Sequence, residues 1–77
     1  MQHLKIGEHT ITAWAEFLPS QRWHGLASID PPIPNTWTGG PNGTSLVTDG
    51  EHQSERSAEL QALDNAVAAL QEHLRKP

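Results

Sequence analysis

SAELQALDNAVAALQEHLRK, from Ser57 to Lys76, holds the clearest period in this 77-residue chain. Leu60, Leu63, Val67, Leu70 and Leu74 recur at spacings of three and four. At about 3.6 residues per turn they fall on one stripe, which predicts an amphipathic helix with its leucines toward a core. Ser54 or Ser57 offers a side-chain oxygen to an orphan amide of the first turn. Glu55 and Glu59 suit the positive end of the helix dipole, and His73, Arg75 and Lys76 suit the negative end. The face opposite the leucines contains Ala58, Asn65, Ala69 and Glu72, with Gln61 and Ala62 at its flanks. It is thinly charged, and reads either as a second contact surface or as plain helix propensity.

A leucine stripe needs a floor to lie on, and the N-terminal half of the chain supplies one. Leu4 and Ile6 alternate with polar neighbours. Gly7-Glu8 then offers a two-residue hairpin turn that places Leu4 opposite Ile11; a single long strand bulged at Gly7 is the other reading. From Thr10 to Leu18, Ile11, Ala13, Ala15 and Phe17 point one way while Thr10, Thr12, Trp14 and Glu16 point the other. Pro19-Ser20-Gln21-Arg22 makes a turn. A third strand runs from Trp23 to Ile29, where Pro31-Pro32 stops it.

The register follows from side-chain size. Pairing Phe17 with Trp23 sets Ala15 against Gly25, Ala13 against Ala27 and Ile11 against Ile29. The resulting face has large apolar ends and a small-residue middle, across which a helix can lie close. A slip of one residue would put His24 beside Phe17. In the preferred register Phe17 and Trp23 are core, and Trp14 and Leu26 face each other on the reverse side, with Glu16 near His24.

Pro31 to Gly43 (PPIPNTWTGGPNG) excludes a helix or a central strand, since nine of its thirteen residues are Pro, Gly or Asn. Loops of this length tend to be functional or disordered, and Trp37 predicts that part of this one packs on something. Thr44 to Thr48 reads as a further strand with Leu46 or Val47 inward, ended by a turn at Asp49-Gly50. The expected architecture is α+β, an antiparallel sheet of three to four strands with one C-terminal helix packed on one face. Its order is β-β-β-loop-β-α in a single domain over 1–77. The order is similar in topology to that of HicB-type antitoxins and double-stranded-RNA-binding-like domains, but no motif diagnostic of either is present. The second group reads phosphates from a basic helix start, where this chain has Ser54-Glu55-Arg56-Ser57.

Composition narrows the function classes. Five Lys and Arg stand against nine Asp and Glu, for a net charge of -4, and the basic residues are scattered, which disfavours nucleic acid. With no cysteine, neither disulfides nor thiolate metal sites are available. No secretory h-region and no membrane-length apolar run is visible, so a cytoplasmic, bacterial-type domain is expected. The histidines at 3, 9, 24, 52 and 73 never fall three or four residues apart, so no metal or cofactor is expected.

Glu16 and His24 are the one acid-base pair this reading brings together, without a pocket or a substrate anchor, and no nucleophile or phosphate-loop motif is present. The chain therefore reads as a non-catalytic protein-interaction module. Its candidate surface is Trp14, Leu26 and the Trp37 loop, on the sheet face opposite the helix, for a partner protein or a second copy of itself. The alternative is binding of a small ligand or single-stranded nucleic acid by the same aromatics. A small enzyme using Glu16 and His24 ranks third, and a small second core in which Trp37 covers Trp14 is the non-functional outcome.

Overall fold

The computed structural model describes all residues except Asn35, Lys76 and Pro77. Strands β1 (Gln2–Ile6) and β2 (His9–Phe17) form the first hairpin, with Leu4 opposite Ile11 and Ile6 opposite His9. Gly7, at a φ of 60°, takes the left-handed conformation that a two-residue turn requires and that other side chains resist. Strand β3 (Trp23–Asp30) pairs with β2 in the small-residue register, Phe17 to Trp23, Ala15 to Gly25, Ala13 to Ala27 and Ile11 to Ile29. Strand β4 (Ser45–His52) adds to β3, so the four antiparallel strands lie in the order of the chain. Helix α1 (Glu55–Arg75) follows and packs on one face of the sheet. The Ser57 amide donates to Ser54 Oγ at 3.1 Å, which makes Ser54 the cap.

The helix rests on the sheet through a different stripe from the leucines. Its buried residues are Ala58, Glu59, Ala62, Ala66 and Leu70, a ridge of residues four apart with one addition. Leu63 and Val67 are only partly buried against the core, Leu60 is 38% exposed and Leu74 is 53% exposed. The reason is distance. A Cβ built on Gly25 would overlap the Ala58 carbonyl oxygen and lie 3.1 Å from the Ala62 Cβ. At so close an approach only small residues fit between the helix backbone and the strands. Alanine lines both surfaces, and the leucines are rotated toward the β1 side.

The core consists of Ile11, Ala13, Ala27 and Ile29 from the sheet, Ala62, Ala66 and Leu70 from α1, and Ile33 from the long loop. Ile33, rather than Trp37, anchors that loop: the Ile33 amide donates to the buried Ser45 Oγ at 2.8 Å, and Thr36 Oγ1 donates to the Ile33 carbonyl at 2.7 Å. The Leu46 amide donates to the Trp37 carbonyl at 2.8 Å, so the loop backbone runs along the outer side of β4. A single 3-10 turn, Pro41–Gly43, closes it.

Two further expectations are corrected. Asp49 and Gly50 lie inside β4 and make no turn; the ladder to β3 shifts register between His24 and Leu26, and that irregularity carries the strand on to His52. Phe17 and Trp23 do meet, with ring centroids 5.0 Å apart. Phe17 is exposed and Trp23 half-buried, so they form a rim rather than core.

Candidate functional site

Trp14 and Leu26 stand directly opposite each other on the face that α1 does not cover. Leu26, between its cross-strand partners Trp14 on β2 and Thr48 on β4, is only 8% exposed. It has little surface left to offer. Trp37 is 66% exposed and folds against Gly39, with its carbonyl paired outside β4. At about 4.8 Å per strand, its backbone lies roughly three strand spacings from that of Trp14. Trp14 and Leu26 are thus brought together, and the Trp37 backbone is placed on the far side of the sheet from β2. Glu16 and His24 are cross-strand partners, but the ion pairs among the described residues run elsewhere, Met1 to Glu59, His52 to Asp49 and Arg75 to Glu72. No group of three or more His, Asp or Glu among the described residues is arranged to hold a metal ion.

A second apolar surface lies where α1 leaves β1. The Met1 nitrogen sits 3.2 Å from Glu59 Oε1 at one end of the helix, and the His9 and His73 rings meet edge-on at 6.3 Å toward the other. Those two contacts set β1 alongside α1 and running the same way. Leu4 and Ile6, on the helix-facing side of β1, border the outward edge of the helix that carries Leu60, Leu63, Val67 and Leu74. Ile6, Leu63 and Val67 pack against the core, whereas Met1, Leu4, Leu60 and Leu74 remain exposed. Among the described residues, the outer edge of β1 is also unpaired.

A polar cluster occupies the corner between β4 and α1. Asp49 Oδ2 is bonded to His52 Nε2, and His52 Nδ1 lies 3.3 Å from Ser57 Oγ. Asn65 Nδ2 donates to the second Asp49 oxygen at 3.1 Å, and Gln61 Nε2 donates to Asn65 Oδ1 at 3.3 Å. Burial pushes the Asp49 carboxyl up. The hydrogen bonds from His52, the Gly50 amide and Asn65, with the charge on His52, outweigh it and hold the group below its ordinary value of 3.8. The three central residues are eight positions apart at most. The sequence signal was there, but an expected turn at Asp49-Gly50 hid it.

Among the described residues, no helix is long and apolar enough to cross a membrane. Comparison with protein-family models, with curated proteins and with solved structures finds no match to this chain.

Proposed function

We propose that this protein is an interaction module that associates with a second copy of itself along the margin between β1 and α1. The observation that carries this reading is the row of large exposed aliphatics there, Leu4, Leu60 and Leu74 with Met1. Contiguous exposed aliphatic patches mark association sites. Leu60, Leu63, Val67 and Leu74 keep the spacing of a helix-pairing seam, with Leu63 and Val67 half-buried at its floor, while the alanine ridge and Leu70 take over the packing inside the molecule. In a two-fold pair the same patch appears on both partners, so a seam is its own complement. Charge favours the same margin. The chain carries a net charge of -4, yet the leucine stripe and the helix-facing residues Gln2, Leu4 and Ile6 carry no charge, and the Met1 amine and the Glu59 carboxylate at one end of the margin pair with each other. Two acidic copies meet there with the least repulsion.

Sedimentation equilibrium of the wild type against a Leu60→Gln/Leu74→Gln variant tests the proposal. A concentration-dependent dimer that the double variant loses supports it. A wild type that stays monomeric at the highest attainable concentration, or a dimer the variant retains, overturns it. A second reading, small-ligand binding by aromatics, is favoured by the exposure of Trp37 alone, and predicts tryptophan quenching on titration that Trp37→Ala abolishes.

A further inference from the structure

The corner between β4 and α1 contains more than a helix needs for its cap. Ser54 already caps α1, so the Ser57 hydroxyl is not required there. It is exposed and lies 3.3 Å from His52 Nδ1. From this chain of contacts we propose that Ser57 is a base-activated nucleophile, with His52 as its general base and Asp49 as the residue that orients the base. The substrate class is small, activated carboxylic esters.

The hydrogen bonds assign the roles. With His52 in its neutral form, an ionised Asp49 accepts from His52 Nε2–H, and the Nδ1 lone pair is then directed at the Ser57 hydroxyl. This is the nucleophile, base and orienting-acid logic of acyl transfer, recognised by geometry rather than by position in the chain. Asn65, itself held by Gln61, occupies the other Asp49 oxygen and fixes the carboxylate. Ser57 lies in the first turn of α1, where the amides of Glu55 and Arg56 have no acceptor within the helix. These amides can donate to the oxyanion of a tetrahedral intermediate.

In the acylation step Ser57 Oγ bonds to the ester carbonyl carbon as its proton passes to His52 Nδ1. The bond to the leaving alkoxide then breaks, and the alkoxide takes that proton. Water repeats the sequence on the acyl-serine, releasing the carboxylic acid and restoring the hydroxyl. An exposed corner offers little surface to hold a large acyl donor, which restricts the reaction to esters with good leaving groups.

The test is acetylation of the full chain with 4-nitrophenyl acetate, quenched in acid within the first turnover so that the acyl-serine is trapped before water removes it, followed by peptide mass mapping at successive quench times. Ser20 and Ser54, whose hydroxyls are engaged by Glu51 and by the Ser57 amide, serve as internal references. Ser57 is expected to acquire the acetyl group at least tenfold faster than either reference. In His52→Gln its rate is expected to fall by roughly a hundredfold, the usual contribution of a general base, and in Asp49→Asn by a smaller factor. Labelling of Ser57 no faster than the reference serines, an acetyl group resident on His52 instead, or a Ser57 rate unchanged in a folded His52→Gln variant would each overturn the proposal. A purely structural role for the cluster would lower the melting temperature of the variants without any preference for Ser57.

Discussion

The two faces of α1 divide its work. The ridge Ala58-Ala62-Ala66 is fully buried and has the smallest side chains on the helix; the stripe Leu60-Leu63-Val67-Leu74 has the largest and is half in water. Hydropathy alone would assign them the other way round. What reverses the assignment is the sheet beneath. With Ala13, Gly25 and Ala27 as the floor, the helix backbone comes so near that a leucine has no room under it. Close approach gains dispersion contacts along the whole ridge. The leucines are then turned to the one strand the helix scarcely touches. Periodicity reports that a stripe exists; the size of the facing surface decides which stripe goes inside.

This contrast can be broken by substitution. The largest effect is expected at Leu70, the one large helix residue in the core that is fully buried. Leu70→Ala should cost about 3 kcal/mol in chemical denaturation, from lost transfer energy plus a cavity. Gly25→Ala comes next, at about 2 kcal/mol, because the added methyl meets the Ala58 backbone and the helix must move away. Either loss would be measured as a shift of the denaturation midpoint at unchanged slope. Ser54→Ala removes the cap on the Ser57 amide and should cost about 1 kcal/mol.

The Asp49 cluster joins β4 to the helix on the opposite side from the leucines, and acid probes it. Because the folded-state pKa of Asp49 is depressed, its contribution is fully present above the unfolded value of 3.8 and is lost as pH falls through the lower folded value. Acid titration of stability should therefore be flatter below 3.8 in Asp49→Asn than in the wild type. The smallest effect on the isolated molecule is expected for Leu60→Gln with Leu74→Gln, within about 0.5 kcal/mol when measured in dilute solution.

Much of the fold was legible because the sheet follows local rules. Alternation set the strand faces, and the small-residue argument set the β2–β3 register residue by residue; Gly7-Glu8 left a hairpin and a bulged single strand open, and the structure has the hairpin. The face of α1 was misread because a one-dimensional pattern carries no distance, although the small floor that sets the distance was itself recognised. Trp37 drew attention as the large residue of the long loop, while Ile33 does the packing through the buried Ser45 hydroxyl. No local pattern distinguishes the two. The polar corner was missed for a third reason: Asp-Gly is a strong turn signal, and here a shift in the β3–β4 ladder keeps it extended.

The most direct measurement is thermal unfolding of two single variants in dilute solution, Ala62→Leu on the ridge and Leu74→Ala on the stripe. For a domain of this size, 1 kcal/mol corresponds to about 4–8 °C. The account predicts that Ala62→Leu, although it adds apolar surface, lowers the melting temperature by about 10 °C through overpacking. Leu74→Ala, although it removes apolar surface, should leave it nearly unchanged. A stable Ala62→Leu variant beside a strongly destabilised Leu74→Ala variant would place the leucine stripe in the core and contradict the account.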